Sequence, residues 1–448
     1  MECCEESVAA RLRRKRCETN DYDILSQPIY ERSCVDIPGE VTLTHQVGKD
    51  YMPVTGGSQL AYVLVEMKPT EMMAQVRMPL NFALVLDHSG SMKGAKLKNV
   101  KEAVKMVIDR LEPTDYVSVV IFDDTSQVII PSMPCNDKPG MKAAIDQIRD
   151  AGGTTMSLGM IQGLNELRRW NIPNAVNRMI LLTDGVTYGD SDRCRQLARD
   201  AAAAGISIYP LGIGADWDED LLDNIGHLSG GMPAEFIQNP TDALSIFEQQ
   251  IQSAVDVAIR NATLILRLPA GVTPKKAVKV LPIISDLGPN VLADRQVVIP
   301  LGDLEKDKPQ SVLFELMIDP RQAGLFRIAQ AELNYDVPIM GVVGESVRDD
   351  VKVTFTHDAN QAAAVNALVM NFAEKANAHR LVTRVLDEYK RTGKATTRLA
   401  PNVTRVLDEE TQLALEQINQ GGQISQEQVK SIGNKTRKLT QRLDDILP

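Results

Sequence analysis

The stretch Asn81–Met92, with the sequence NFALVLDHSGSM, is the part of the chain that decides the fold. It begins with a continuous apolar run, Phe82 to Leu86, which is typical of a β-strand covered on both faces of a parallel sheet. Three side chains that carry oxygen follow at alternate positions, namely Asp87, Ser89 and Ser91. Open α/β sheets bind their ligands at the carboxyl ends of the strands. The stretch therefore predicts a buried strand that ends at a binding site.

The chemistry of these three side chains points to a hard cation. Divalent cations such as Mg²⁺ take oxygen ligands in octahedral geometry and usually keep some of their water. The pattern Asp-x-Ser-x-Ser is thus a candidate first half of a metal site. Each residue taken alone also has an ordinary structural role, because Asp87 can cap a helix and Ser89 or Ser91 can serve in a turn.

Two later segments complete a three-part pattern. Thr154 follows a Gly-Gly pair, and Asp184 ends a second apolar run, Met179-Ile-Leu-Leu-Thr-Asp-Gly185. Thr154 alone could cap a helix, and Asp184-Gly185 alone could be a turn. In this order the three segments resemble the metal-ion-dependent adhesion site of von Willebrand factor A (VWA) domains, including VWA proteins of the cytoplasmic bacterial type. The resemblance covers residues 79–253 and says little about the rest of the chain.

The resemblance implies a role for each residue of the pattern. The hydroxyls of Ser89 and Ser91 would bind the cation directly, and Thr154 would bind it directly or through water. Asp87 and Asp184 would mostly hold metal-bound waters and orient the serines. One coordination position would stay open for a carboxylate from a partner protein. We therefore expect Mg²⁺ at this site, with Mn²⁺ or Ca²⁺ as alternatives. His88 occupies a variable position of the motif. It either faces solvent, which we expect, or tunes access to the metal.

The order of strand and helix signals predicts the architecture. Between residues 78 and 258 the signals alternate, which predicts a parallel sheet with helices between its strands. The resemblance implies that this unit is a doubly wound α/β (Rossmann-like) VWA domain. Short strand signals without helices between them precede this unit, in residues 36–77, and follow it, in residues 259–356. Two strands are not stable alone. We therefore predict one discontinuous antiparallel β-sandwich into which the VWA domain is inserted.

The two ends of the chain differ from the middle. Residues 1–35 are predicted to be an irregular arm, and residues 357–448 a helical region. The arm contains four cysteines, which either bind zinc without a Cys-x-x-Cys pair or are ordinary thiols: Cys3, Cys4, Cys17 and Cys34. The C-terminal helices either pack on the sandwich and on each other or bind a partner. The hexapeptide Thr-Arg-Val-Leu-Asp-Glu begins at Thr383 and again at Thr404, which marks either a duplicated helical docking surface or a chance repetition.

The composition limits the classes of partner. The formal net charge is -10 over 448 residues, which argues against general affinity for nucleic acid or anionic lipid. No stretch approaches the roughly 18 apolar residues of a membrane span, and the N-terminus lacks the apolar centre of a secretion signal. The six cysteines show no regular spacing and are typical of free thiols in a reducing cytoplasm. These features predict a cytoplasmic location and leave the oligomeric state open.

The function expected from these features is protein binding. A cation held by the three-part pattern would recognise an acidic group of a partner protein, so that the chain acts as a binding module or adaptor. We do not expect an enzyme, because the chain has no Gly-x-x-x-x-Gly-Lys phosphate loop and no Gly-x-Ser-x-Gly elbow. The alternatives are a metal-dependent hydrolase, in which the same cation activates water, or a scaffold subunit of an ATPase or kinase/phosphatase assembly.

Overall fold

A computed structural model describes residues 39–441 with the exception of 171, 289–291 and 294. The described strands are β1 (Val41–Val47), β2 (Tyr51–Pro53), β3 (Gln59–Pro69), β4 (Leu80–Asp87), β5 (Tyr116–Phe122), β6 (Ser126–Pro134), β7 (Val176–Thr183), β8 (Ile206–Ile213), β9 (Glu235–Ile237), β10 (Val257–Arg267), β11 (Val272–Leu281), β12 (Ser285–Asp286), β13 (Leu292–Ala293), β14 (Gln296–Glu305), β15 (Gln310–Ile318), β16 (Gly324–Val337) and β17 (Val342–Thr356). The described helices are α1 (Ala95–Arg110), α2 (Lys138–Asp146), α3 (Met156–Leu167), α4 (Ser191–Ala203), α5 (Glu219–Leu228), α6 (Ala243–Val255), α7 (Ala359–Ala363), α8 (Ala367–Thr392), α9 (Pro401–Thr404), α10 (Glu409–Asn419) and α11 (Gln426–Arg437). The predicted arm, residues 1–35, lies outside the described residues together with its four cysteines.

The central sheet has the order β6-β5-β4-β7-β8-β9 and carries the strand that ends in Asp87. Strand β4 pairs in parallel with β5 and β7, and β8 and β9 continue the parallel arrangement. The prediction of an α/β fold with parallel strands at its centre is confirmed. The sheet is mixed, however, because β6 pairs antiparallel with β5. The sequence analysis missed β6, whose Pro131 and Pro134 weaken the strand signal but are tolerated at a sheet edge.

Both faces of this sheet are covered by helices. Phe82, Leu84 and Leu86 of β4 lie in one hydrophobic cluster with residues of α1 and α6. Ala83 and Val85 lie in the opposite cluster with residues of α3, α4 and α5. Because successive side chains of a strand point to opposite faces, a strand buried on both sides is apolar at every position. The continuous apolar run of β4 has this cause.

Helix α3 lies unusually close to the sheet. A Cβ atom at Gly163 would lie 2.5 Å from Val85 Cγ2, and one at Gly159 would lie 2.6 Å from the ring of Phe122. Only glycine permits this distance, because any side chain would push the helix outward. The start of α3 at Met156, and with it the loop that carries Thr154, is thereby held against the carboxyl end of β4.

Two further sheets share one hydrophobic core. Their orders are β1-β3-β15-β11-β12 and β13-β14-β10-β16-β17-β2, and side chains from both contribute to the same buried cluster. Strand β15 pairs antiparallel with β3, which joins the segments before and after the central α/β unit. One pair, β2 with β17, is parallel. Strand β11 was not predicted, because Pro274 and the charged Lys275 and Lys276 interrupt its apolar pattern.

The change from helix to strand after the α/β unit is abrupt. Helix α6 ends at Val255, and β10 begins at Val257, which pairs with Glu305 of β14. The predicted boundary between residues 258 and 259 therefore falls inside a strand. The division of the chain into units at 36–77, 78–258, 259–356 and 357–448 stays a prediction.

The C-terminal helices cover the outer side of one of the two further sheets. Leu64 and Leu313 belong to strands β3 and β15 and share a hydrophobic cluster with Val369 and Phe372 of helix α8. Helix α8 is capped at its start by the Asn366 side chain and ends before Gly393, whose φ is 70°. Of the alternatives left open by the sequence, packing on the sheet is therefore the one that buries the apolar face of α8.

Two details of the C-terminal region differ from the predictions. Helix α11 ends at Arg437, whereas the sequence pattern predicts a helix up to Leu447; residues 442–448 lie outside the described part of the chain. The copy of the hexapeptide at Thr383 lies within α8, but the copy at Thr404 ends the short helix α9 and leads into a turn. The repetition is therefore not a duplicated helical surface. None of the helices in the described residues has the length and hydropathy of a membrane span.

Candidate metal site

Asp87, the last residue of β4, is a buried carboxylate. Its side chain is inaccessible to solvent, its Oδ1 accepts a hydrogen bond from the Ser89 amide at 2.8 Å, and its Oδ2 accepts one from Thr183 Oγ1 at 2.6 Å. Burial raises the pKa of Asp87, the hydrogen bonds oppose this shift, and the negative charge of Asp184 adds to it. The site therefore disfavours the charged form of Asp87 unless a cation lies nearby.

A chain of hydrogen bonds connects the two serines with the second aspartate. Ser91 Oγ donates to Asp184 Oδ1 at 2.6 Å, and the hydroxyls of Ser89 and Ser91 are 3.0 Å apart. The Asp184 side chain is fully buried, Ser89 is buried, and Ser91 is exposed. The structure thus brings Asp87, Ser89, Ser91 and Asp184 together at the carboxyl ends of β4 and β7, with Ser91 on the open side.

Backbone hydrogen bonds hold the Gly-Gly-Thr loop against the loop after β4. The Gly90 amide donates to Gly152 O at 3.2 Å, and the Ala151 amide donates to His88 O at 2.8 Å. Gly152 has a φ of +64°, and a Cβ atom there would lie 2.5 Å from Asp123 Oδ2. Only glycine satisfies both conditions. The two loops therefore meet through their backbones.

This arrangement places Thr154 beside the other predicted residues. Thr154 is buried, and a Cβ atom added to Gly185 would lie 3.6 Å from Thr154 Oγ1. The threonine hydroxyl therefore lies next to the residue that follows Asp184. All five predicted site residues are at one rim of the sheet. Their role as metal ligands stays a prediction.

Thr187 and Asp190, which both follow Asp184 in the chain, hold the first turn of α3. Thr187 Oγ1 donates to Asp190 Oδ1 at 2.5 Å and accepts from the Met156 amide at 3.0 Å. Asp190 Oδ2 accepts from the Ser157 amide at 2.7 Å. An acidic side chain at a helix N-terminus accepts hydrogen bonds from the free amide groups there and interacts favourably with the helix dipole. The sequence analysis did not identify Asp190, which lies 33 residues after Ser157, whose amide it accepts.

His88 is buried, so the expectation that it faces solvent is wrong. It is 9% exposed, and its Nδ1 lies 2.8 Å from Arg149 O, to which a protonated Nδ1 donates. Its Nε2 lies 3.8 Å from Asp123 Oδ2. The ring therefore ties the loop after β4 to the segment before the glycine pair. Asp123 itself accepts hydrogen bonds from the amide and hydroxyl of Thr125, which makes it a turn residue.

Lys96 is a site residue that the sequence analysis missed. Its Nζ donates to Asp184 Oδ2 at 2.5 Å, and its side chain is 26% exposed. Lys96 lies in the first turn of α1, only nine positions after Asp87. A helix that starts directly after a strand end keeps its first turn near that end, and this proximity was the available signal. The site therefore contains two buried carboxylates and one ammonium group.

The residues present fit a hard divalent cation. Every candidate donor is an oxygen atom, from two carboxylates and three hydroxyls: Asp87, Ser89, Ser91, Thr154 and Asp184. Within the described residues there is no group of three or more His, Cys, Asp or Glu side chains suited to a metal. A cation at this rim would thus depend on hydroxyl oxygens as much as on carboxylates, which suits Mg²⁺ better than metals that prefer nitrogen or sulfur ligands. Lys96 already places one positive charge against Asp184.

Two exposed apolar side chains lie beside these residues. Val186 and Tyr188 follow Asp184 in the same loop, and they are 46% and 78% exposed. An aromatic side chain with this exposure is common where proteins bind one another. Because the Tyr188 amide donates to Thr154 O at 3.3 Å, the position of this loop is tied to that of the predicted site.

Comparison with known proteins assigns the central unit to a family. Residues 81–252 match the family model of the von Willebrand factor type A domain. The chain is 34% identical over 272 residues to an uncharacterized protein of Synechocystis, an alignment that covers 59% of this chain and 63% of that protein. It is 29% identical over 188 residues to human inter-alpha-trypsin inhibitor heavy chain H2, covering 39% of this chain and 20% of that one. The chain thus spans less than two thirds of these relatives.

Solved structures show the same fold over a larger part of the chain. A von Willebrand factor type A protein from Catenulispora acidiphila has a TM-score of 0.72 at 18% identity, and the match covers 88% of this chain and 96% of that one. The ArnB paralog VWA2 from Sulfolobus acidocaldarius has a TM-score of 0.52 at 14% identity, with 90% and 99% covered. At these identities the likeness concerns the fold alone. It extends beyond residues 81–252 to the flanking sheets and helices.

Proposed function

From the premise that residues 81–252 form a VWA domain, we propose that the protein binds an acidic group of a partner protein through a divalent cation, Mg²⁺ in the cell. VWA domains are metal-dependent protein-interaction modules. The observation that carries the proposal is the hydrogen-bonded chain Ser89–Ser91–Asp184 beside the buried carboxylate of Asp87. It combines an oxygen donor set with buried negative charge on an accessible rim.

Some residues of the site would bind the cation, and others would orient the residues that bind it. Ser89, Ser91 and Thr154 would hold the cation through their hydroxyls, and Asp87 and Asp184 would supply the opposite charge. When bound, the cation supplies a Lewis-acidic position that a carboxylate of a partner can occupy. Thr183, through its hydrogen bond to Asp87, keeps that carboxylate from rotating.

The surrounding surface supports a protein as the partner. Val186 and Tyr188 offer exposed apolar area next to the site, and binding through the metal alone would leave this area uncovered. We propose that the partner contacts Tyr188 while its carboxylate binds the cation. In this role the chain acts as an adaptor rather than an enzyme. His88, the nearest histidine, is buried and engaged with Arg149 O, so no catalytic step is assigned to it.

We also propose that the protein acts in a reducing cytoplasm. Cys135 and Cys194 are free thiols, and both are buried in hydrophobic clusters. Burial raises the pKa of the Cys194 thiol, which keeps it protonated and unreactive at neutral pH. Such cysteines suit a compartment that keeps thiols reduced.

The proposal is tested with immobilised peptides that have amidated C-termini and one glutamate in otherwise random sequences without acidic residues, and with the same peptides carrying glutamine in place of the glutamate. We expect retention of the protein in Mg²⁺ on the glutamate peptides only, and release by EDTA. Asp87→Ala should abolish retention, whereas Asp109→Asn, which removes an exposed carboxylate near the end of α1 that lies away from Lys96, should preserve it. Tyr188→Ala should weaken peptide retention and leave metal affinity unchanged. Retention that survives EDTA, or that does not distinguish glutamate from glutamine, refutes the proposal. Turnover of a phosphate ester that is lost in Asp184→Ala would instead favour the hydrolase alternative.

A further inference from the structure

The position of Lys96 has a consequence for metal binding that the donor set alone does not give. Its ammonium group lies 2.5 Å from Asp184 Oδ2, while Asp184 Oδ1 accepts from Ser91. Both oxygens of this buried carboxylate are thus engaged, one by a hydroxyl of the predicted site and one by a cation that belongs to the chain. A divalent cation at the site would meet a carboxylate whose charge is already paired.

We propose that Lys96 is a tethered cation that competes with the divalent metal for the negative charge of Asp184 and, once the metal is bound, strengthens the attraction of the site for an anionic partner. This inference rests on the proposed metal-dependent function and assigns to Lys96 a specificity-determining role within it. When both carboxylates are ionised, they and the one ammonium give the site one net negative charge. A divalent cation changes the sum to one net positive charge, whereas without Lys96 the loaded site would be neutral.

The structure provides both a holding position and a release path for this lysine. The Lys96 Nζ packs beside Gly214, since a Cβ atom there would lie 3.4 Å from it, at ordinary contact distance. Gly214 also has a φ of +73°, which favours glycine at this turn. The Lys96 side chain is 26% exposed, so its flexible stem can move the charge toward solvent without unfolding of the helix.

The charges predict two effects of opposite sign. Loss of the ammonium removes the competing ion pair and the repulsion of the incoming dication, so metal affinity should rise by about tenfold, a value moderated by the partial exposure of Lys96. The same change lowers the net charge of the loaded site, so the affinity for a carboxylate partner should fall by about tenfold or less. A lysine with only a structural role would lower both affinities or neither.

The test compares Lys96→Gln with Lys96→Arg, which keeps the charge, and with Lys98→Gln, which removes an exposed charge from the same helix. The first measurement is the dissociation constant for Mn²⁺ and Mg²⁺ by titration calorimetry of the full chain. The second is retention on the glutamate peptides described above. We expect tighter metal binding and weaker peptide retention for Lys96→Gln, and values close to those of the wild type for Lys96→Arg and Lys98→Gln.

A thermal measurement keeps the test decisive where folding depends on metal. In EDTA, Lys96→Gln should unfold at a lower temperature than the wild type, because Asp184 loses its partner, and saturating Mg²⁺ should reverse or remove this difference. If this variant is unfolded in EDTA, its metal affinity is measured by chelator competition from the loaded protein. If the wild type and Lys96→Gln bind metal with equal affinity, the inferred role of Lys96 is overturned while the proposed function stands. Metal binding by Lys96→Gln alone supports the inference and refutes the proposed function of the wild type. Absence of metal binding in both refutes the two together.

Discussion

Replacing Asp87 with asparagine distinguishes two effects of its buried charge, namely its effect on the free energy of unfolding and its contribution to metal binding. The amide keeps Oδ1 as an acceptor for the Ser89 N–H, which lies 2.8 Å away in the wild type. Its Nδ2 would face Thr183 Oγ1, which can accept this hydrogen bond and donate instead to Gly185 O at 3.3 Å. The neutral side chain therefore fits the existing network without a lost partner.

The expected magnitudes follow from this network. Burial and the charge of Asp184 raise the pKa of Asp87, so the metal-free protein disfavours the carboxylate. Asp87→Asn should thus leave the metal-free stability within about 1 kcal/mol of the wild type, or increase it by that amount. With a free cation at 100 times its dissociation constant, the wild type should gain about 2.7 kcal/mol. The variant should gain almost none, because the site loses one of its two negative charges.

The pH dependence has a defined sign. A carboxyl group whose pKa is raised in the folded state keeps its proton where the unfolded chain has released it. The stability of the metal-free wild type should therefore fall as the pH rises from about 4 through the raised pKa of Asp87, and Asp87→Asn should lack this component.

The assay is thermal unfolding in EDTA and in saturating Mg²⁺, followed by circular dichroism between pH 4 and pH 8. Asp109→Asn serves as the matched control, since its exposed carboxylate pairs with Lys142 near the end of α1 that lies away from Lys96. It should keep the full response to Mg²⁺. A response of Asp87→Asn equal to that of the wild type would show that Asp87 takes no part in metal binding. A strong destabilisation of this variant in EDTA would show that the buried charge itself supports the fold.

Two further predictions concern the scaffold. Gly163→Ala should destabilise the protein by about 1–2 kcal/mol in thermal unfolding, because overpacking against Val85 outweighs a helix-propensity gain of about 1 kcal/mol. It should also weaken the Mg²⁺ affinity measured by calorimetry, because it displaces the start of α3. The control Gly57→Ala, which adds a methyl group in open space, should change neither the stability nor the affinity. Burial lowers the pKa of His379 to about 4, and its Nδ1 lies 3.0 Å from Thr436 Oγ1. The unfolded chain therefore binds the proton at a higher pH than the folded chain, and stability should fall as the pH drops from about 6.5 toward 4. Urea unfolding at pH 7 and pH 5 should show a smaller loss of stability for His379→Gln than for the wild type.

The central strand and the order of the site residues could be predicted from the sequence for a geometric reason. Parallel strands that alternate with helices end at the same edge of a sheet, so Asp87 and Asp184 meet whatever the lengths of the connections. The Gly-Gly pair before Thr154 is needed for the close backbone contact with the loop after β4. These features depend on local patterns and on strand order, both of which are visible in one sequence.

The strands that escaped prediction lack a local pattern. In β6 and β11, prolines and lysines interrupt the apolar alternation, and the neighbouring strands supply the hydrogen bonds and contacts that make each segment a strand. Strand β6 lies at the edge of its sheet, where Pro131 leaves no central hydrogen bond unmade. Tertiary pairing therefore decided these elements, and the sequence pattern of each segment alone could not.

The pairing of Lys96 with Asp184 also depends on tertiary structure, and the sequence analysis missed it for the same reason as β6 and β11. Several lysines lie near Asp87 in the sequence, and Lys96 is the one that pairs with Asp184 because α1 begins directly before it. The hexapeptide at Thr383 and Thr404 illustrates the principle, since identical residues lie inside α8 in one copy and at a helix end in the other. A residue type and its spacing locate the oxygen donors of a cation site. The net charge of that site, and hence its preference between a metal and an anionic partner, depends on neighbours that only the folded chain brings into contact.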